Sequence, residues 1–316
     1  MRIAILIPCF NEAPTVGRVV ADFRRLLPGS VVHVFDNDSS DDTAEVSREA
    51  GAKVHRVRLR GKGQVVRRQF ADVEADVYLL IDGDGTYSVE CASRLIEQVI
   101  AGHDMVVGTR EATDEAAYRR GHATGNRLLT GFLAWLFGRQ CRDILSGYRA
   151  FSRRFVKSFP AHSTGFEIET ELTVHALEMR MAVAEVPTPY GGRPEGSLSK
   201  LSTWRDGMRI LKAILGLFST ERPIACYGTL GLALATISMV LSVPLFYTYF
   251  QTGLVPRFPT AILASALMLL SALSVLVGIV LDSVARGRRE AKTFAYLSIP
   301  GPAVELEPGD AATLHR

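Results

Sequence analysis

An α/β domain with a mainly parallel sheet, followed by two transmembrane helices, is the fold class this sequence predicts. Three observations predict it. Up to about Tyr190, short β-branched runs alternate with longer amphipathic stretches, the pattern of strands joined by helical crossovers. Two stretches, Ile224 to Phe250 and Pro259 to Leu281, contain no charged residue, and each exceeds the ~20 residues needed to span a bilayer. Polar, acidic clusters fall where the first, second and fourth of the apolar runs end, and in open parallel sheets such ends share one ligand-binding edge.

In chain order, strands are expected at Arg2 to Ile7, Val31 to Phe35, Lys53 to Arg56, Val77 to Ile81, Met105 to Gly108 and Ala182 to Val186. Helices are expected around Thr15 to Leu27, Thr43 to Ala50, Gly63 to Ala71, Val89 to Ala101 and Phe166 to Glu178. Strands separated by helices require a sheet covered on both faces. The segment Trp204 to Phe218 places Arg205, Arg209 and Lys212 on one face and Met208, Leu211, Leu215 and Phe218 mostly on the other. That is the pattern of a helix lying in a bilayer interface; an ordinary surface helix on the preceding domain is the alternative. Pro244 and Pro256 are placed to kink the first span and to mark the turn between spans. The implied organisation is a domain over 1–203, an interfacial helix over 204–222, a two-helix anchor over 223–283 and a basic, disordered tail over 284–316.

Bulk composition narrows the partners. The 316 residues carry 36 Lys and Arg against 33 Asp and Glu, a formal charge of +3, so no case for nucleic-acid binding arises. Cys9, Cys91, Cys141 and Cys226 are widely spaced without C-x-x-C pairs, unlike a zinc site or a disulfide framework, and read as reduced cytosolic thiols. The apolar run at the N-terminus meets Pro8 too early for a signal peptide and reads as a buried strand. Arg286, Arg288, Arg289 and Lys292 follow the second apolar stretch, whereas the connection between stretches offers only Arg257. Positive flanks stay inside. The expected location is the inner membrane, multi-pass, with the first domain and both termini cytoplasmic; bilayer anchoring also permits a homo-oligomer.

The strongest chemical signal is Leu79-Leu80-Ile81-Asp82-Gly83-Asp84-Gly85, an apolar strand ending in two carboxylates around a glycine. Hard oxygen ligands at such a place suit Mg2+ or Mn2+ bridging two phosphates, although acidic turns after strands are common. Two further constellations accompany it: Ile7-Pro8-Cys9-Phe10-Asn11-Glu12, and Val34-Phe35-Asp36-Asn37-Asp38-Ser39-Ser40-Asp41-Asp42-Thr43. The second also reads as a helix start capped by Asp41 or Thr43.

On these motifs the chain resembles family 2 glycosyltransferases of the GT-A fold, in the branch similar to dolichol-phosphate mannose synthases and bacterial polyprenyl-phosphate glycosyltransferases. The resemblance covers roughly Arg2 to Lys200 plus the two-span anchor. It implies that Pro8, Asn11 and Glu12 hold base and ribose of a nucleotide sugar, that Asp36, with Asp38 nearby, binds the base, and that Asp82 and Asp84, with Gly83 between them, form the metal motif. Arg60-Gly61-Lys62-Gly63 resembles the family's glycine-lysine turn and would place the Lys62 cation near the diphosphate, a flexible basic loop being the alternative. Gly108-Thr109-Arg110 and the Asp143 to Arg149 segment, with Ser146 and Arg149, resemble motifs near donor sugar and acceptor. Gly165-Phe166-Glu167-Ile168-Glu169 resembles a segment whose acidic groups meet sugar hydroxyls, while a helix N-terminus would favour Glu167 and Glu169 for its dipole alone. Tyr190 to Leu201, reading YGGRPEGSLSKL, resembles a phosphate-gripping loop through Arg193, Ser197, Ser199 and Lys200. Gly83-Asp84-Gly85-Thr86-Tyr87, after the first aspartate of the metal motif, departs from the mannose synthase pattern and leaves the sugar open.

The expected activity is inverting transfer of a sugar from a nucleotide sugar, UDP-linked rather than GDP-linked, to a polyprenyl phosphate. Asp82, Asp84, Arg193 and Lys200 are its expected catalytic groups. The alternatives are a family 2 transferase using another lipid or polysaccharide hydroxyl, with Glu167 or Glu169 as base, and a non-catalytic membrane scaffold that binds a nucleotide sugar.

Overall fold

The computed structural model describes residues 1–112, 129–136, 143–192 and 203–301. The chain divides into a first compact unit, Met1–Ala213 with Lys292–Arg316, and a second, Ile214–Ala291.

The first unit is built on a seven-stranded sheet. Its strands are β1 (Ile3–Cys9), β2 (Val31–Asp36), β3 (Lys53–Arg56), β4 (Val77–Leu80), β5 (Met105–Ala112), β6 (Arg149–Ser152) and β7 (Val183–Tyr190), ordered β3-β2-β1-β4-β6-β5-β7. β1 is parallel to β2 and β4, β2 to β3, and β5 to β7. Only β6 runs antiparallel, wedged between β4 and β5. The sequence signals anticipated the six parallel strands, and β6 is the addition. Its four residues, Arg-Ala-Phe-Ser, are all buried, so they show neither the alternation of a half-exposed strand nor a β-branched run.

Helices cover both faces, which is why the central strands read as continuous apolar runs. Leu6, Phe35, Tyr78, Leu80 and Phe151 point to the face covered by α3 (Lys62–Asp72), α6 (Arg153–Ser158) and α7 (Ile168–Glu178). Ile5, Ile7, Val32, Val34, Leu79 and Ala150 point to the other, with Val16, Val20 and Phe23 of α1 (Ala13–Leu26) and Leu95, Ile96 and Val99 of α4 (Ala92–Ile100). One 3-10 turn, Val89–Cys91, precedes α4; α2 (Thr43–Glu49) joins β2 to β3, and α5 occupies residues 129–136.

α8 (Thr203–Glu221) occupies the expected interfacial segment; Ile210 and Ile214 are buried while Met208 and Leu215 stay exposed. In the second unit, α9 (Pro223–Thr252) and the central part of α10 (Phe258–Leu297) are long and apolar enough to cross a membrane, and most of their most apolar stretches lie exposed in the protein alone. Gly253, in the left-handed region at φ 71°, closes α9, with its N–H donating to Tyr249 O. The two helices pack through small residues seven positions apart: Gly231 and Ser238 on α9, Ala264, Ser271, Gly278 and Ala285 on α10, all buried. Ser238 Oγ donates to Ala264 O and Ser271 Oγ to Gly231 O, each at 2.7 Å. A Cβ on Gly231 would stand 2.9 Å from Val275. Small residues let backbones approach where lipid removes the hydrophobic drive for association.

The basic tail expected over 284–316 requires correction. α10 continues to Leu297, because Arg286 and Arg289 pair with Asp282 on the same helix instead of ending it. Its last turns belong to the first unit: Tyr296 packs on the α3/α6/α7 core face and donates its hydroxyl to Asp104 at 3.0 Å. Arg154 lies over the Tyr296 ring and donates to Ile299 O. The remainder of that expected tail, from 302 onward, lies outside the described residues. Losing the Tyr296 ring and its hydrogen bond should cost about 2 kcal/mol, hence a melting temperature lower by roughly 4–8 °C. Thermal unfolding of detergent-solubilised Tyr296→Ala checks this, with Ser298→Ala as a variant expected to melt like the parent.

Candidate active site

Parallel pairing of β1 with β2 and β4 brings three loops to one sheet edge. Cys9 stands opposite Asp36, and Leu6 opposite Leu80, so the chain leaves all three strands side by side. The first two loops are stitched to each other. Asn11, at φ 52°, accepts the Ser40 N–H at 2.8 Å, and its own N–H goes to Ser39 Oγ. Glu12 N–H reaches Thr43 Oγ1, and Ala13 N–H reaches Asp41 Oδ2. Asp42 is the residue before α2, while the Asp41 carboxylate takes the Thr43 N–H.

Asp36 is buried and accepts the Ser39 N–H. Asp38 is exposed enough to hold Arg56 at 2.6 Å, and that hydrogen bond keeps its carboxyl below the usual range. Asn37, not singled out by the sequence, is the hinge of the group. Its amide donates to Val57 O and Leu59 O while its carbonyl accepts the Gly61 N–H at 2.7 Å, which carries the second loop's position into the glycine-lysine turn.

That turn is wedged against the 163–165 backbone. A Cβ on Gly61, at φ 122°, would lie 2.1 Å from Thr164 O, and one on Gly63 2.1 Å from Ser163 O; only glycine permits the approach. Lys62 is thereby driven inward. Its Nζ lies 2.5 Å from Asp82 Oδ1 and 2.6 Å from Glu169 Oε1. Burial opposes the Lys62 charge, but Asp82 and Glu169 outweigh it and raise its pKa. Burial pushes the Glu169 carboxyl up against the pull of Lys62, and Glu169 Oε2 has no hydrogen-bond partner.

Beyond Asp82, Thr15 Oγ1 donates to Gly83 O at 2.7 Å, and a Cβ on Gly83 would collide with Cys9 Sγ. Asp84 is buried and accepts both the N–H and the hydroxyl of Thr86. The same turn is strapped to the end of β7: Gly191 N–H donates to Thr86 O, and Tyr87 bridges Tyr190. The chain therefore enters the 193–200 segment from beside the carboxylates. Arg193, Ser197, Ser199 and Lys200 lie outside the described residues.

Three residues expected near sugar or acceptor also hold the surrounding backbone. Arg149 is fully buried; its guanidinium donates to Ser146 O, Ile144 O and Thr173 Oγ1. Ser146 is equally buried and donates to Gly108 O. Both therefore hold the 143–148 loop from behind. Glu167 is only half-buried, but its Oε1 takes the N–H groups of Thr164 and Gly165, holding the backbone on which Gly61 rests. Arg110 is gripped in a fork by Asp143, two bonds of 2.7 Å, above the Tyr190 ring. Gly147 and Tyr87 were not singled out: the Gly147 N–H donates to Tyr87 Oη, and a Cβ on Gly147 would stand 2.3 Å from Asp82 Oδ2. A lone glycine inside a motif gives no sequence sign of such a contact.

Among the described residues no group of three His, Cys, Asp or Glu side chains forms a cation cage. Asp82 and Asp84 supply hard carboxylate oxygens, so they fit a divalent cation whose remaining ligands come from phosphates.

The profile described as Glycosyl transferase family 2 matches residues 4–159. Glycosyltransferase AglJ of Haloferax volcanii is 36% identical over 249 residues, 78% of this chain and 82% of that one. The chain belongs to glycosyl transferase family 2. A dolichyl-phosphate hexose transferase of the same organism is 28% identical over 221 residues, 70% of this chain and 95% of that protein. Among solved structures, glucosyl-3-phosphoglycerate synthase from Mycobacterium tuberculosis, in complex with Mn2+, uridine-diphosphate-glucose and phosphoglyceric acid, superposes with a TM-score of 0.57 at 23% identity, covering 69% of this chain and 80% of that one. The protein is thus a glycosyltransferase of GT-A fold, related to the enzymes that load sugars onto polyprenyl phosphates.

A methyl group on Gly147 would push Asp82 and Lys62 apart without touching the main core. Gly147→Ala should lower kcat/KM by more than about tenfold, the scale expected for a displaced reacting group, with an unchanged melting temperature; steady-state kinetics beside thermal unfolding reads both.

Proposed function

We propose that this protein transfers a sugar, with inversion, from a nucleotide sugar to a polyprenyl phosphate at the cytoplasmic face of the inner membrane. The observation that carries the reading is the joining of a carboxylate and lysine site, Asp82, Asp84 and Lys62, to a pair of exposed apolar helices in one chain. The dolichyl-phosphate hexose transferase supports the acceptor class through a match that covers nearly all of that protein.

In this reading Pro8, Asn11, Glu12, Asp36 and Asp38 line the nucleoside end, and Lys62 lies at the diphosphate. Asp82 and Asp84 would hold Mg2+ or Mn2+, which when bound offsets the charge developing on the leaving diphosphate. An acceptor phosphate monoester is already largely ionised at neutral pH, so the chain need not supply a base. Its task is alignment: Arg193 and Lys200 hold the acceptor oxygens in line with the anomeric carbon, Ser197 and Ser199 add hydrogen bonds, and Arg110 orients the sugar. A hydroxyl acceptor would need a carboxylate base. Glu169 Oε1 is held by Lys62 and Glu167 Oε1 by two backbone N–H groups; with a phosphate acceptor neither is called on as a base.

The return of the α10 end to the first unit supports an even number of crossings, with both ends of the chain on one side. The membrane then concentrates a lipid acceptor where the site can reach it. We favour UDP-sugars over GDP-sugars as donors.

The test incubates detergent-solubilised protein with Mn2+ or Mg2+, undecaprenyl phosphate and a panel of UDP- and GDP-sugars, following lipid-linked product by mass spectrometry. A sugar-phosphate-lipid product is expected and names the donor; transfer to a hydroxyl acceptor with none to lipid phosphate overturns the reading. Asp84→Ala should cut turnover by roughly a thousandfold while circular dichroism stays that of the parent. Arg193→Ala and Lys200→Ala should raise KM for polyprenyl phosphate by about tenfold or more, the loss of a charge-assisted hydrogen bond, and leave the donor KM nearly unchanged.

A further inference from the structure

Lys62 occupies a place that a simple phosphate ligand would not need. Its ammonium is almost buried, with the side chain 9% exposed, and it bridges Asp82 and Glu169, 29% and 5% exposed. It therefore sits on one of the two carboxylates that would hold a divalent cation. Two like charges cannot share Asp82 Oδ1 at such a distance in a pocket of low dielectric constant, so the ion pair and cation binding compete. The surroundings leave few ways to resolve the conflict. The start of α3 cannot retreat, because Gly61 and Gly63 already press against the Thr164 and Ser163 carbonyls, and Gly147 closes the opposite side against Asp82 Oδ2. Only the Lys62 side chain can move, and Glu169 offers somewhere to stay: its Oε2 is buried without a partner beside the ammonium.

We propose that Lys62 is a placeholder cation, which must release Asp82 before that carboxylate takes a divalent ion, and that Glu169 is the positioning residue that keeps the released ammonium at the diphosphate. A bare cation would have to separate Lys62 from Asp82 with nothing to replace the lost partner. A nucleoside diphosphate brings the negative charge that the ammonium then meets. Metal and nucleotide consequently bind together, and the unloaded site resists metal alone. Buried charges must stay paired throughout, and the exchange keeps each one paired. The proposal rests on the reading of Asp82 and Asp84 as the cation pair.

The experiment measures free Mn2+ by electron paramagnetic resonance in titrations of the full-length protein in detergent, with and without UDP. In the parent, UDP should tighten Mn2+ binding by roughly tenfold or more, and Mn2+ should tighten UDP by the same factor, since coupling is reciprocal. Lys62→Met should bind Mn2+ alone several-fold more tightly than the parent does and lose most of the UDP enhancement. Glu169→Gln should act oppositely: with Lys62 left to Asp82, Mn2+ affinity in the presence of UDP falls several-fold, and Glu169→Asp recovers part of it. A merely structural role would weaken binding in both variants. If Lys62→Met folds but binds Mn2+ alone no better than the parent, while UDP still tightens it, the placeholder is overturned and the cation site stands. Absence of Mn2+ binding in the parent even with UDP would overturn the cation-site reading itself. Should Lys62→Met fail to fold, as judged by circular dichroism, the direction of the Glu169→Gln effect decides alone.

Discussion

Parallel hydrogen bonding of β1 to β2 on one side and β4 on the other is the constraint from which the site follows. Because the three strands run the same way and in matched register, their C-terminal loops must emerge together, and residues as distant in sequence as Asn11, Asp36 and Asp82 become neighbours of one edge. Antiparallel β6 then inserts beside β4. Its entry is the 143–148 loop, which Ser146 and Arg149 pull against β5 and α7, and this presses Gly147 onto Asp82. The functional groups are few; most of the polar residues around them hold backbone.

Charge inside this edge is arranged by closeness of backbone. Three glycines, Gly61, Gly63 and Gly147, remove the side chains that would hold segments apart, and the space they save is filled by the Asp82, Lys62 and Glu169 charges. Isolated, any of the three would be costly to bury. Together they form a chain of alternating sign in which each charge is paired. The outer members of the site are anchored differently. Asp38 with Arg56 is an ion pair near solvent, and Arg110 with Asp143 a largely buried one.

The helical hairpin obeys another logic. Its outward residues are apolar, as a span through lipid requires, whereas its inner seam is made of glycine, alanine and serine repeating every seventh position. Past the hairpin the same helix becomes part of the first unit through Tyr296, Asp104 and Arg154. The last turns of α10 thus pack against the catalytic domain.

Sequence alone determined what depends on local pattern: the alternation that sets six parallel strands, the charge-free lengths of the two apolar helices, and the acidic clusters at the ends of β1, β2 and β4. Periodicity and composition report these because each reflects the solvent a residue meets along its own element. Tertiary structure decided what depends on partners far away in the chain. Nothing near Arg149 in sequence shows that its guanidinium turns inward to carbonyls and Thr173. The four-residue β6 has no pattern of its own, being a strand only because β4 and β5 flank it. The tail after the second span looked polar and loose until Asp282 and the Tyr296 contact accounted for its helix. Lys62, Asp82 and Glu169 were each visible as charged motif residues, but that they neutralise one another is a property of distance, which only the folded chain supplies.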